Sequence, residues 1–289
     1  MADPLAPSRP LLRKRVCRGL LWFGGWYLGV VIVLLLLENA LLFQSVTATA
    51  DWQAPPAGYN VEDVTVTTKD GSIHGWWFPK PGATGALLYC HGNAGNLSYR
   101  GPAIPPLMNA LNVSVLIFDY PGYGKSSGKP TEAGCYAAAD AMYDWLTETK
   151  HIPCERIILY GKSLGGGVAT DLAVRRPHRA LVLVKAFTSI PDIAQRLYWF
   201  APVRWLVRNR FDNVEKLPHC SRPVAIAAAD CDELMPLWMG QKLYESAPEP
   251  KRYFLMRGCY HNSALPPSFL NDLAGFLNET APLPMAVAE

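Results

Sequence analysis

A chain of 289 residues, half of them apolar, is long enough for one large domain and has ample material for a core. Charged residues make up 18% and the formal net charge is +3, which excludes a disordered chain and an extended basic surface for nucleic acid. Much of the basic excess lies at the N-terminus.

There Arg9, Arg13, Lys14, Arg15 and Arg18 precede an uncharged run from Gly19 to Leu37, with Trp22, Trp26 and Tyr27 in its first half. As a helix rising about 1.5 Å per residue, the run approaches the roughly 30 Å of a hydrocarbon core. Ala40-Leu41-Leu42-Phe43 extends it past Glu38. Residues 1–18 are therefore expected to be a basic N-terminal segment and 19–43 a transmembrane signal anchor in contact with membrane lipid. Basic residues before the span, against Glu38 and Asp51 after it, predict a cytoplasmic N-terminus and a body on the periplasmic or another non-cytoplasmic side. The competing reading is a cleaved signal ending at Ala48-Thr49-Ala50, but the apolar run exceeds the 7 to 15 residues of a signal peptide's apolar region. A buried soluble helix is disfavoured because no polar residue breaks the run into a solvent face.

Residues 44–59, with Pro55, Pro56 and Gly58, read as a linker to a globular domain over 60–280. Val61 to Thr67 and Ile73 to Phe78 are β-branched and aromatic runs around the turn Lys69-Asp70-Gly71-Ser72, and predict a hairpin. Short apolar strands follow at Ala86 to Tyr89, Val113 to Phe118, Ile157 to Tyr160, Ala180 to Val184, Val224 to Ala229 and Tyr253 to Met256. Helical spacing marks Thr131 to Thr149, the segment after Ser163, and a closing helix at Pro267 to Asn278. Apolar strands that do not alternate, separated by helices, indicate an α/β domain with a parallel sheet covered on both faces. One longer insertion, about 188–222, carries Tyr198-Trp199-Phe200, Trp205 and Phe211 among arginines. It is expected to be a helical cap over the sheet edge, with a lid or a lipid-facing segment as the alternative.

Gly161-Lys162-Ser163-Leu164-Gly165 stands between a strand and a helix, as a nucleophile elbow does. A serine hydroxyl is a poor nucleophile and needs a general base, itself oriented by a third group. His261 follows the last strand, at the carboxyl edge of the sheet where open α/β folds place their sites. His91 is better suited to shaping a backbone donor strip, His74 lies within a strand, and His151 and His178 near helix ends are expected to be solvated. His219 in the insertion is the runner-up base. Asp230-Cys231-Asp232-Glu233, after another strand, offers the orienting acid without singling out one carboxylate. Backbone amides of Leu164 and Asn93 are the expected oxyanion donors.

Six cysteines after the span allow three disulfides in an exported domain, or a set of buried thiols. No Cys or His spacing suits a metal. Gly124-Lys125-Ser126 is not a phosphate loop, since Asp119 stands where that motif needs glycine.

Taken together, His91-Gly92-Asn93-Ala94-Gly95-Asn96, Asp119-Tyr120-Pro121-Gly122-Tyr123-Gly124-Lys125-Ser126, Gly161-Lys162-Ser163-Leu164-Gly165-Gly166 and Gly258-Cys259-Tyr260-His261-Asn262 resemble the α/β-hydrolase superfamily. More narrowly they resemble its membrane-anchored serine hydrolases, over about residues 60–278. The resemblance implies an α/β-hydrolase fold with a small cap, preceded by one transmembrane helix and acting without cofactor or metal. The order Ser163, acid, His261 is that of its triad. Its acid pattern matches Asp232-Glu233-Leu234-Met235-Pro236 and selects Asp232 over Asp230. The chain departs from the family at Ala229, where glycine is frequent, and at Lys185, where an acid is frequent. The expected activity is hydrolysis of a small-molecule or lipid acyl ester or thioester through an acyl-enzyme. A serine peptidase of the same fold and a non-catalytic membrane-tethered binding module are the alternatives.

Overall fold

The computed structural model describes residues 9–69 and 71–283. Residues 1–8 of the basic N-terminal segment, and Asp70 of the hairpin turn, lie outside the described residues. The described residues begin with helix α1 (Arg9–Leu36) and the short α2 (Glu38–Leu42). Strands β1 (Glu62–Thr68) and β2 (Gly71–Phe78) form the expected antiparallel hairpin. Then come β3 (Ala86–Cys90), α3 (Ile104–Leu111), β4 (Ser114–Phe118) and α4 (Glu132–Asp144), the last continued as a π turn through Thr149. Strand β5 (Ile157–Lys162) leads into α5 (Leu164–Arg175), and β6 (Ala180–Val184) into the insertion. The insertion folds into α6 (Ile190–Leu197), α7 (Val203–Leu206) and α8 (Asn213–Lys216). Strand β7 (Val224–Ala229), α9 (Leu237–Ser246), β8 (Lys251–Met256) and α10 (Pro267–Thr280) complete the domain.

Among the described residues the strands make one eight-stranded sheet in the order β1-β2-β4-β3-β5-β6-β7-β8. The β2 pairings with β1 and β4 are antiparallel, and every pairing from β4 through β8 is parallel. Because side chains alternate across a strand, Leu88 and Cys90 of β3 face a core with α4, α5 and α9, while Leu87 and Tyr89 face one with α3 and α10. Both faces are thus covered, as continuous apolar strands require. The chain leaves β3 toward β4 on one side and reaches β5 on the other, so a crevice opens at their carboxyl ends.

Two helices escaped the sequence reading although the signal was present. In α3 the buried residues are Ile104, Leu107, Met108 and Leu111, a full helical stripe. In α9, Met239, Gly240 and Leu243 are buried after Pro236. The expectation that His178 is solvated is corrected: the ring is fully buried, its Nδ1 2.9 Å from the Arg176 carbonyl. Burial pushes its pKa down to about 4, against that hydrogen bond, and so keeps it neutral.

Segment 44–59 is no loose linker. Its backbone pairs with the domain through Gly95 N–H to Gln44 O (3.1 Å), Val46 N–H to Gly95 O (3.1 Å) and Ala48 N–H to Gly124 O (2.8 Å). Asn96 donates to the carbonyls of Val46 (3.1 Å) and Asp51 (2.9 Å), and the Trp52 ring meets Trp76 edge-on at 5.3 Å. The seven cysteines are free thiols, with Cys90, Cys135, Cys220 and Cys259 buried.

Candidate active site

Ser163 is the turn residue between β5 and α5, with φ 52° and ψ −120°. A non-glycine residue in that region is strained and persists only where its surroundings impose it. The imposition is steric. A Cβ on Gly161 would fall 2.6 Å from Gly166 Cα, one on Gly165 would strike the carbonyls of Cys90 and His91, and one on Gly166 would fall 2.7 Å from Ala186 Cβ. Only glycines let the start of α5 press onto the ends of β3 and β6, and that pressure tips Ser163 out of the strand. Its own N–H is occupied by the Val184 carbonyl at 3.1 Å. Leu164, the first residue of α5, carries one of the N–H groups that a helix cannot satisfy internally.

The strip after β3 runs past the serine: a Cβ on Gly92 would stand 3.3 Å from Ser163 Cβ and 4.0 Å from its Oγ. Asn93 follows, its side-chain oxygen accepting from Gln44 N–H (3.0 Å) and the Tyr123 hydroxyl (3.2 Å). Asn93 lines the crevice beside Ser163. His91 lies beneath, fully buried, with Nδ1 2.7 Å from the Gly92 carbonyl and its ring 4.5 Å from that of Tyr120. It packs under this strip and contacts its Gly92 carbonyl.

His261 and Asp232 meet across 29 residues of chain, with Nδ1 2.9 Å from Oδ2 and 3.1 Å from Oδ1. Asp232 also accepts the N–H groups of Leu234 (2.9 Å) and Met235 (2.7 Å). Burial alone would raise its pKa, but the hydrogen bonds from His261 and these amides outweigh burial and hold the carboxyl below its usual range. Asp230 is turned elsewhere and accepts the Gly258 N–H at 2.6 Å. Ala229 ends β7 in extended conformation, so this loop forms without the glycine frequent there in the family. His219 is exposed, away from the crevice residues.

Lys185, which had no sequence-level account, is only 1% exposed and has φ 50°. Its ammonium donates to the carbonyls of Tyr260 (2.6 Å), His261 (3.1 Å) and Ser263 (3.2 Å), pinning the loop that carries His261. Burial pushes its pKa down, partly offset by Cys259, Asp232 and Glu233. An acid here would meet three carbonyl oxygens and no donors.

Ser163, His261, Asn93 and Leu164 line one cavity of about 1010 Å³. Further walls come from the end of α1, from α2, from the cap and from the segments that carry Arg100 and Glu233. Lys162, beside the serine, also faces it; burial and the neighbouring cations Lys185 and Arg100 push the Lys162 pKa down to about 8.

The model of the alpha/beta hydrolase fold family matches residues 85–217. The chain is 38% identical over 237 residues to an uncharacterized protein of Mycobacterium tuberculosis, covering 79% of this chain and 82% of that one. It is 32% identical over 211 residues to protein bem46 of Schizosaccharomyces pombe, covering 69% of each chain. It is 30% identical over 249 residues to the alpha/beta hydrolase domain-containing protein WAV2 of Arabidopsis thaliana, covering 78% of this chain and 80% of that protein. Among solved structures, the Pyrococcus furiosus esterase Pf2001 superposes with a TM-score of 0.63 at 19% identity, over 80% of this chain and 99% of that one. At that identity the likeness is one of fold.

Proposed function

The chain belongs to the α/β-hydrolase family and is a hydrolase; from that premise we propose that it is a membrane-anchored serine hydrolase of ester or thioester bonds, acting through Ser163, His261 and Asp232. One observation carries the reading: the double contact of His261 Nδ1 with Asp232, beside a strained Ser163 in the same cavity. Ionised Asp232 accepts the Nδ1 proton, which leaves Nε2 as the basic nitrogen.

Ser163 Oγ attacks the acyl carbon as His261 takes its proton. The oxyanion is met by the Asn93 and Leu164 amides, and collapse releases the alcohol or thiol, protonated by His261. Water repeats the sequence on the acyl-enzyme, freeing the acid and restoring Ser163.

Anchoring is supported by α1, whose apolar side chains stand in the open: Leu21, Trp22 and Leu36 are each more than 70% exposed. An apolar surface of that size in water is an aggregation hazard, and in a bilayer it is satisfied. Retention of the anchor is supported further by the pairing of residues 44–48 with the domain, which cleavage after Ala50 would remove.

A fluorophosphonate probe tests the reading. Labelling of the folded wild type and none of Ser163→Ala is expected; unlabelled folded wild type would instead favour a binding module.

A further inference from the structure

We propose that the substrate is a glycerophospholipid drawn from the bilayer that holds α1, its scissile acyl chain lying between the anchor and the cap and its phosphate meeting Lys162 and Arg100. The proposal rests on the serine hydrolase reading above and adds the identity of what enters the cavity.

The first observation is what the cavity is made of. One wall is the exit end of the membrane helix and its continuation, Leu34, Leu35 and Leu41; the facing wall is the cap, through Ile193, Leu197 and Val203; Ser163 and His261 stand at the base. Its volume of about 1010 Å³ sits at the top of the roughly 300–1,000 Å³ range of small-molecule sites. Apolar walls of that extent suit a long acyl chain.

The second is where the cap sits along the anchor. The Tyr27 hydroxyl donates to the Phe200 carbonyl at 2.9 Å, and Val31 is buried against Ala201 and Val203. At about 1.5 Å per residue, Tyr27 lies roughly 14 Å before the end of α1, within the stretch that would cross the bilayer. A cap fastened there lies on the side of the domain turned to the membrane. Its outer residues fit that position, with Trp199 79%, Trp205 83% and Leu197 59% exposed, as an interfacial segment requires. At the exit end, Glu38 accepts the backbone N–H groups of Arg208 (3.0 Å) and Asn209 (2.8 Å) and closes that side of the cavity. With the exit end closed in this way, the acyl chain of the proposed substrate enters from the lipid side, between α1 and the cap.

The third is charge. Of the acids lining the cavity, Glu38 is engaged by Arg208 and Asn209, and Glu233 accepts the His261 N–H. The lining cations Lys162, Arg100 and Arg196 have no carboxylate partner among the described residues. Arg100 donates to the Ala94 carbonyl and keeps a buried Nε without a partner. Uncompensated cations beside a nucleophile and an apolar chain site call for an anionic headgroup attached to an acyl ester. In the reaction the acyl C–O bond breaks, the lysophospholipid leaves as an alcohol with the proton from His261, and water releases the fatty acid.

The test uses the full chain reconstituted in phosphatidylethanolamine and phosphatidylglycerol vesicles that carry a labelled palmitoyl chain on phospholipid, on diacylglycerol or on a cysteine peptide. Palmitate release from phospholipid is expected to exceed release from the other two. Lys162→Met and Arg100→Met are each expected to lower the phospholipid-to-diacylglycerol ratio about tenfold, and Ala194→Trp, which fills the chain site, to lower the palmitoyl-to-butyryl ester ratio at least tenfold. Fluorophosphonate labelling of the same preparation separates the two levels. Labelled enzyme that cleaves butyryl ester but prefers diacylglycerol or the peptide, or whose ratios do not move in the variants, overturns the phospholipid assignment alone. Absence of labelling overturns the hydrolase reading and the assignment together.

Discussion

The ammonium of Lys185 and the carbonyl of Tyr260 lie 2.6 Å apart, so a buried cation at the end of β6 holds the loop after β8 that presents His261. Two further carbonyls, of His261 and Ser263, complete its shell. Three charge-assisted bonds to main chain fix the base loop more firmly than side-chain packing, because a carbonyl cannot move without its backbone.

Replacing Lys185 with Met keeps most of the stem and removes all three donors. The orphaned carbonyls cost about 1–3 kcal/mol each when desolvated, so the loop is expected to open to water. Turnover of a short ester should fall tenfold or more with KM little changed, and amide exchange should quicken at residues 259–263. A variant that melts earlier yet keeps full turnover would reduce Lys185 to a structural role.

Asp232→Asn should lower turnover by orders of magnitude while the protein remains folded; the equivalent change in a serine protease costs about 10⁴-fold through the wrong imidazole tautomer. Asp230→Asn should have a mild effect, since that carboxylate serves the Gly258 amide. Steady-state kinetics on both variants decide. A damaging Asp230→Asn with a mild Asp232→Asn would reverse the assignment.

His178 sets an acid limit on stability. Its folded pKa, about 4, is below the unfolded value near 6.5, so below pH 6.5 the unfolded chain takes up a proton that the fold refuses. Stability contributed by the neutral ring is present above about pH 6.5 and is lost as pH falls toward 4, up to about 3 kcal/mol. Urea midpoints measured between pH 7 and 4.5 should decline, and the decline should be shallower in His178→Gln.

Arg13, Lys14, Arg15 and Arg18 before the span predict that the domain faces a non-cytoplasmic compartment. Protease added to intact cells or spheroplasts should digest it, and carbonate should leave undigested protein in the membrane. Protection from protease would reverse the orientation, and a soluble product starting near Asp51 would identify Ala48-Thr49-Ala50 as a cleavage site.

By itself the sequence determined what short-range stereochemistry controls. Short apolar runs specified the inner strands β3 to β7, because a strand buried on both faces needs no polar partner side, while β-branched and aromatic runs around a turn specified the hairpin of β1 and β2. The spacing of Gly161, Ser163 and Gly165 specified the elbow, since its collisions involve neighbours in the chain and adjacent strand ends. The apolar stretch after Arg18 specified a helix long enough to cross a membrane. In the acid loop, local pattern reached Asp232 only through family resemblance; adjacent carboxylates look alike until the fold aims one at His261. Tertiary structure alone decided the rest. Lys185 finds its carbonyls 75 to 78 residues away, Tyr27 meets Phe200 across 173 residues, and His178 is enclosed beside Cys220. Such pairings arise when packed layers bring distant segments together, and burial then decides which charges need partners and which rings stay neutral.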